Sequence, residues 1–315
     1  MWPFKNNKTS KFDSWPIVRS RPVKKTYGRS ISLFINNMDC HAATVDVYED
    51  GSIECWGFVD LALFKQKLRA NWVVPAPKAG QTLSVFNFGS TAMEDGAWLQ
   101  SQESIDKEVR SIIEMLNPSM RDLLDMNGSD TELRGKVRYA KLGLSDKKPY
   151  RIDPQADTEI LGAQFPVLRP VDGAFELTRL TVYSDGACQL GSSDQLSTIA
   201  ELEEMYDAGR VANFAPSLSR IILPGLGSFR TAHDFGAVSP HDRLSEVHDA
   251  LNVLNGKESV IKACARCFKD YEREPSKQAV EALRLAYDAV PVHLRCYCGD
   301  MDTRDTAIRA VLFGG

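Results

Sequence analysis

Thr44–Ser90, TVDVYEDGSIECWGFVDLALFKQKLRANWVVPAPKAGQTLSVFNFGS, decides how the chain is read. Val45 and Val47 alternate with Asp46 and Tyr48 in the two-residue period of a half-buried strand. Glu49-Asp50-Gly51 is a tight turn in which glycine supplies the positive φ. Ile53, Cys55 and Gly57 continue on a second strand. Asp60 suits the N-cap of a helix whose Leu61, Phe64 and Leu68 recur at spacings of three and four, ending near Asn71. Trp72-Val73-Val74 is a short apolar segment broken by Pro75 and Pro77, Lys78-Ala79-Gly80 turns the chain, and Leu83, Val85 and Phe88 form another strand. The unit reads hairpin, helix, strand.

A weaker copy follows. Thr181-Val182-Tyr183-Ser184-Asp185-Gly186 matches Asp46-Val47-Tyr48-Glu49-Asp50-Gly51 at an offset of 135 residues. A helical stripe of Leu196, Ile199, Leu202 and Met205 comes next. Ala208-Gly209-Arg210-Val211 stands where Ala70-Asn71-Trp72-Val73 stood, and Ile221–Ser228 aligns with Leu83–Ser90. The segment Gly143–Lys148 pairs with Gly299–Arg304. A single Asp-Gly hairpin is common, but four landmarks in one order point to a repeat. The expected fold is α+β: two pseudo-repeated domains, each an antiparallel sheet with helices packed on one side. Residues 1–30 read as a basic extended tail, 31–153 as the first repeat and 154–173 as a connector holding Pro154, Gly162, Pro166, Pro170 and Gly173. Residues 174–315 read as the second repeat, with an extra helix.

The other helices announce themselves by apolar stripes. Ser101 or Ser104 opens one with Ile105, Val109, Ile112, Ile113 and Leu116, and a short one holds Met120, Leu123 and Leu124. Ser239-Pro240 starts another with Leu244, Val247, Leu251 and Leu254. Val260, Cys264, Cys267, Phe268 and Tyr271 share one face, and Pro275 opens a last stripe of Val280, Leu283 and Tyr287.

At 315 residues the chain is long enough for two cores. No apolar run approaches the length of a membrane span and the first residues lack a signal-peptide core, so a cytoplasmic location is expected. Seven scattered cysteines, an odd number, suit reduced thiols. Charge is segregated. Residues 1–30 hold eight Lys or Arg against Asp13 alone, a net +7 that leaves −11 on the remainder of a chain whose total is −4. Lys5, Lys8, Lys11, Arg19, Arg21, Lys24 and Lys25, with Trp2 and Trp15 among them, make this tail the candidate contact for an anionic membrane, a nucleic acid or the acidic body itself.

Four groups of residues invite chemistry. Cys264 and Cys267 with Cys296 and Cys298 have the elements of a zinc site. The first pair falls on one helical face beside Val260 and Tyr271, however, so burial explains it as well, and no metal bound through cysteine is expected. His233-Asp234, His241-Asp242 and His248-Asp249 could hold a hydrolytic metal, yet Asp242 also suits the dipole of a helix start and His248 its exposed side. Asp300, Asp302 and Asp305, with Arg295, Arg304 and Arg309, can bind a cation or act as acid and base, or can simply cap a helix and pair with the arginines. Ser228, Cys188 and His41 lack the surroundings of a nucleophile. Dinucleotide, Walker A and HExxH motifs are absent, and no cofactor is expected.

VYEDGSIECWGFVDLALFKQKLRANWVVP and the terminal GDMDTRD resemble an uncharacterised family of bacterial two-domain proteins. The resemblance would cover most of residues 40–315 and implies no functional residue. The expected function is that of a non-catalytic interaction protein of the bacterial cytosol, in an immunity or anti-phage setting, with another protein as partner or as a homo-oligomer. The alternative is a metal-dependent hydrolase using Asp300, Asp302 and Asp305 with a histidine.

Overall fold

The computed structural model describes residues 25–125, 137–140, 149–153, 155–193, 195–236, 238–299 and 303–314, with backbone alone for Lys25 and 137–140. Strands β1 (Lys25–Asn37) and β2 (Asp39–Tyr48) form a long antiparallel hairpin from Gly28↔Tyr48 to Asn37↔Asp39. Short strands β3 (Ile53–Glu54) and β4 (Phe58–Val59) extend it. Helix α1 (Leu61–Arg69) starts where the Asp60 carboxylate accepts from the Leu63 amide at 2.7 Å. It ends at Asn71 in the left-handed region (φ 55°). Strand β5 (Val73–Val74) returns to β1, β6 (Thr82–Val85) lies parallel to β2, and β7 (Gly89–Trp98) turns back antiparallel. Helix α2 (Gln102–Leu116) follows its Ser101 cap. Then β8 (Val137–Ala140) runs parallel to the start of β1, and β9 (Tyr150–Ile152) leads onward.

The second half repeats these moves. β10 (Glu159–Val171) and β11 (Ala174–Tyr183) make the hairpin, β12 (Cys188–Leu190) and β13 (Leu196–Ser197) extend it, and α3 (Ile199–Asp207) follows its Thr198 cap. Gly209 (φ 66°) takes the place of Asn71. A bridge Leu168↔Ala212 replaces the pairing of β5 with β1. β14 (Arg220–Leu223) lies parallel to β11, β15 (Gly227–Thr231) returns antiparallel, and α4 (Pro240–Leu254) begins at Ser239.

The sheet differs from the expectation of two antiparallel sheets. Each half closes its hairpin with a parallel strand, because a helical crossover returns the chain in the starting direction. β15 then pairs antiparallel with β7, from Gly227↔Trp98 to Thr231↔Met93, so one mixed sheet runs through both halves. Only glycine fits the junction: a Cβ on Gly227 would lie 2.2 Å from the Ala97 carbonyl oxygen. The stretch with connector composition, 154–173, contains β10. Its prolines are tolerated because the Leu168 amide points away from β11, toward Ala212, and Pro166 and Pro170 share that orientation. The short helix around Met120 does not form. Met120 and Asp122 have φ of 50° and 54°; Met120 and Leu123 pack against the first core without it, and Leu124 is buried. Helices α5 (Val260–Arg273), α6 (Lys277–Asp288) and α7 (Thr306–Phe313), with a 3-10 helix at Val292–Tyr297, have no counterpart in the first half among the described residues. The segment 143–148, expected to mirror Gly299–Arg304, lies outside the described residues.

Strand alternation divides the core. Ile31, Leu33, Ile35, Val45 and Val47 meet Phe64 and Leu68 of α1 and Ile105, Val109 and Ile113 of α2. Phe34 on the opposite face joins a cluster drawn from both halves, with Leu83, Leu168, Phe229 and Phe235. Trp98 meets Phe34 edge-on at 4.9 Å between ring centroids. Val167, Leu180 and Val182 pack on Leu202 of α3 and Val247 of α4. The last helices have their own core of Cys264, Leu283, Tyr287, Cys298, Ile308 and Leu312.

Candidate functional site

The last helices build an open cleft of about 410 Å³, lined by Tyr287, Val292, Arg295, Cys296, Asp305, Arg309 and Phe313. α6 delivers Tyr287 from its final turn, Pro291 starts the 3-10 helix carrying Val292 and Arg295, and α7 brings Arg309 and Phe313. The Tyr287 hydroxyl donates to Asp305 Oδ2 at 2.5 Å. Burial, then the hydrogen bond and charge of Asp305, push the Tyr287 hydroxyl up to about 12 against the pull of Arg295 and Arg309, so the phenol remains a donor at neutral pH. Arg295 lies 4.7 Å above the Tyr287 ring, and its Nε donates to the Val290 carbonyl at 3.1 Å. Arg309 is exposed, and Phe313 meets Tyr287 edge-on at 6.2 Å.

One wall of the cleft is tied to the second half by a buried charge network. Arg243 of α4 is 2% exposed and pairs with Glu246, 8% exposed. Glu246 also engages His293 Nε2, from the residue after Val292 of the cleft. Arg243 donates further to the Asn87 carbonyl at 3.2 Å, which joins the first half to the same network. Arg243 Nε and His293 Nδ1 are buried without a hydrogen-bond partner among the described residues. A buried ion pair of this kind adds little net stability while intact, but losing one member leaves an uncompensated charge.

Of the residues singled out from the sequence, Asp305, Arg295, Arg309 and Cys296 come together in this cleft. Arg304 is exposed, has φ 53° and does not line it. Asp300 and Asp302 lie outside the described residues. Asp305 precedes α7 but makes no side-chain cap; its carboxylate takes the tyrosine instead. His248 sits 3.8 Å from Glu203, both about half exposed. Asp249 accepts from the Val260 amide at 2.9 Å, Asp242 caps with Ser239, and Asp234 accepts from the Ser217 amide at 2.9 Å, so these carboxylates hold turns and helix ends. Cys264 and Cys298 are buried, Cys267 and Cys296 half-buried. Among the described residues no three His, Cys, Asp or Glu side chains are grouped to hold a metal ion. The tail residues Trp2, Lys5, Lys8, Lys11, Trp15, Arg19, Arg21 and Lys24 lie outside the described residues, and Lys25 opens β1. No helix among the described residues is long and apolar enough to cross a membrane.

Sequence reasoning missed Tyr287, Arg243, Glu246 and His293 as site residues. One signal was available for Arg243. Aligning the Ser101 and Ser239 caps places it where α2 carries the apolar Ile105, a break in an otherwise matching stripe.

A family model described as a domain of unknown function, DUF7638, matches residues 16–120 and 150–258, more than half of the chain. The chain belongs to the DUF7638 family. The two matched segments cover the two structurally similar halves of the sheet, and a second model, the domain of unknown function DUF7639, matches residues 259–315. The DUF7638 segments therefore hold the sheet, apart from β8, with α1 to α4, and the DUF7639 segment holds the cleft. Comparison with curated proteins and with solved structures gave no match.

Proposed function

We propose that this DUF7638 protein is a non-catalytic interaction protein whose two sheet halves are pseudo-repeated α+β domains and whose DUF7639 segment docks a protein partner in its cleft. One observation carries the reading: Arg295 and Arg309 stand beside the exposed apolar side chains Val292 and Phe313, 65% and 59% exposed. Of the carboxylates nearby, Asp305 is engaged by a tyrosine that stays protonated at neutral pH, and Asp288, largely exposed, lies 3.8 Å from Arg295. Arginine next to aromatic surface is the composition that binding hot spots favour. The partner that fits presents a carboxylate beside an apolar side chain. An immunity or anti-phage role in the bacterial cytosol is the setting proposed with it.

The test is affinity capture with the full chain and with a Val292→Glu, Arg309→Glu variant, whose changes fall on exposed positions. The expected result is one partner held by the wild-type chain and lost from the variant, with circular dichroism and melting temperature unchanged. Equal capture by both, or none by either, overturns docking at the cleft. The basic tail is proposed as a second contact, for an anionic surface. Removing residues 1–24 should leave the fold intact and weaken binding to anionic vesicles or nucleic acid at low salt. Each basic residue near such a bilayer contributes about 1 kcal/mol.

A further inference from the structure

The first half carries a row of aromatic rings outside the cleft. The turn Cys55-Trp56-Gly57 joins β3 to β4, and the Cys55 amide donates to the Gly57 carbonyl at 3.0 Å. Cys55 belongs to the first core, while Trp56 is 54% exposed. The Trp56 ring meets His41 of β2 edge-on at 4.9 Å and Trp72 edge-on at 6.1 Å between centroids. Trp72 is held from two sides: its amide donates to the Lys67 carbonyl at 2.9 Å, and its carbonyl accepts from the Asn36 amide at 2.8 Å. Trp56 has φ 55°, which glycine and asparagine adopt easily and a bulky residue rarely does. The turn therefore bears backbone strain to hold out an indole that belongs to no core. The charges beside the rings are mostly positive. α1 carries Lys65, Lys67 and Arg69 and no acid. Lys65 lies 4.0 Å from Asp106, whereas Lys67 and Arg69 have no ion pair among the described residues. Lys67 Nζ stands 3.4 Å from the Trp72 ring centroid, and Arg69 is exposed. Against them stand Asp39 and Glu54, the exposed acids of β2 and β3, and Glu54 receives the Tyr48 hydroxyl.

We propose that Trp56, backed by His41 and Trp72, is a stacking platform for single-stranded nucleic acid. A base lies on the exposed indole, and the phosphates beside that base meet Lys67 and Arg69. Aromatic rings with cations next to them are the combination that single strands recognise, since every base has a face to stack and every nucleotide a negative charge. A neutral sugar or a proline-rich peptide also suits an exposed tryptophan, but neither makes use of the two unpaired cations. A duplex buries its base faces against one another and cannot use the indole in this way. The platform is independent of what the cleft binds. It also differs from the basic tail, whose contacts with phosphates alone carry no preference for an unpaired strand.

The test titrates the full chain with a short oligothymidylate at low salt, following tryptophan emission, and repeats the titration with the same strand paired to its complement. Trp56→Asn removes the indole and keeps a residue at ease with the positive φ, so circular dichroism and melting temperature should be unchanged. Trp2 and Trp15 remain in every variant, so any signal from them is common to all. The expected result is quenching of the wild type by the single strand, with affinity weakened about tenfold in Trp56→Asn and recovered to within about threefold in Trp56→Phe. Duplex binding should change by less than about twofold in Trp56→Asn. Arg69→Gln should weaken single-strand binding and make the slope of log affinity against log salt shallower by about 0.7. Equal single-strand affinity of the wild type and Trp56→Asn, equal losses for single strand and duplex, or no single-strand binding by the wild type would each overturn the proposal.

Discussion

α2 runs from its Ser101 cap to Asn117 and α4 from Ser239 to Asn255, so equivalent positions lie 138 residues apart in two helices of 15 residues each. α2 buries Ile105, Val109, Ile112 and Ile113 against the first half's sheet. α4 buries Arg243, Glu246 and Val247. The two helices have different neighbours. α2 packs on β1 and β2, whereas α4 packs on β10 and β11 and also receives His293 from the DUF7639 segment and the Asn87 carbonyl from the first half. A charge can replace an isoleucine at the same helical position because three parts of the chain converge to satisfy it. The network on α4 is thus the place where the sheet and the last helices are locked together.

The largest expected effect breaks this comparison at one residue type. Glu108 on α2 and Glu246 on α4 occupy equivalent positions, one exposed and the other buried between Arg243 and His293. Glu246→Leu should cost about 3–5 kcal/mol, because it strands a buried guanidinium. Glu108→Leu should change stability by less than about 0.5 kcal/mol. Urea unfolding midpoints of the two variants check the contrast, and equal losses would mean that α4 is not organised around its charge pair. Adding Arg243→Ile to Glu246→Leu should recover most of the loss, as apolar replacements of buried ion pairs commonly do.

The degree to which such features are legible in the sequence follows their range. The hairpin turns at Asp50-Gly51 and Asp185-Gly186, the caps Asp60, Ser101 and Ser239 and the apolar stripes depend on neighbours a few residues away, and these could be read directly. The pairing of β7 with β15 joins strands more than a hundred residues apart, and nothing local in Gly89–Trp98 marks it. β10 was hidden by Pro166 and Pro170, whose cost depends on which way the missing amide would have pointed. In the cleft, Asp305 with Arg295 and Arg309 stood out as a charged cluster. Tyr287 did not, since a tyrosine on an apolar stripe reads as core until its hydroxyl is seen to reach a carboxylate.

A smaller effect sharpens the contrast through pH. Tyr287 in the last core and Tyr206 under α4 are both pushed up to about 12, chiefly by burial. An unfolded tyrosine loses its proton near pH 10. The native state therefore retains protons that the unfolded state gives up, and the associated stability is fully present below about pH 10 and lost as pH rises toward 12. Tyr287→Phe should cost about 1 kcal/mol at pH 7, through the lost hydrogen bond to Asp305. It should also make the decline in stability above pH 10 shallower than in the wild type. Unfolding midpoints between pH 8 and 11.5 test this. A decline of unchanged steepness would remove Tyr287 as a contributor.

The smallest expected effect concerns what the two halves share. Asn117 Nδ2 donates to the Glu49 carbonyl at 3.1 Å, and Asn255 Nδ2 donates to the Ser184 carbonyl at 2.9 Å. Glu49 and Ser184 are equivalent residues at the ends of the two hairpins, so the same amide ties the end of the long helix to the same turn in both halves. Each asparagine makes a second bond, to Arg121 and to Leu251 respectively, and both groups are exposed enough for water to replace them in part. Asn117→Ala and Asn255→Ala should each cost about 1 kcal/mol and agree to within about 0.5 kcal/mol. Helix position, donor atom and acceptor are matched, leaving only the surroundings to differ. If Asn255→Ala costs well over 1 kcal/mol more, the DUF7639 segment behind α4 makes that helix end rigid. The locking role of the charge network then extends along α4, from Arg243 to its last turn.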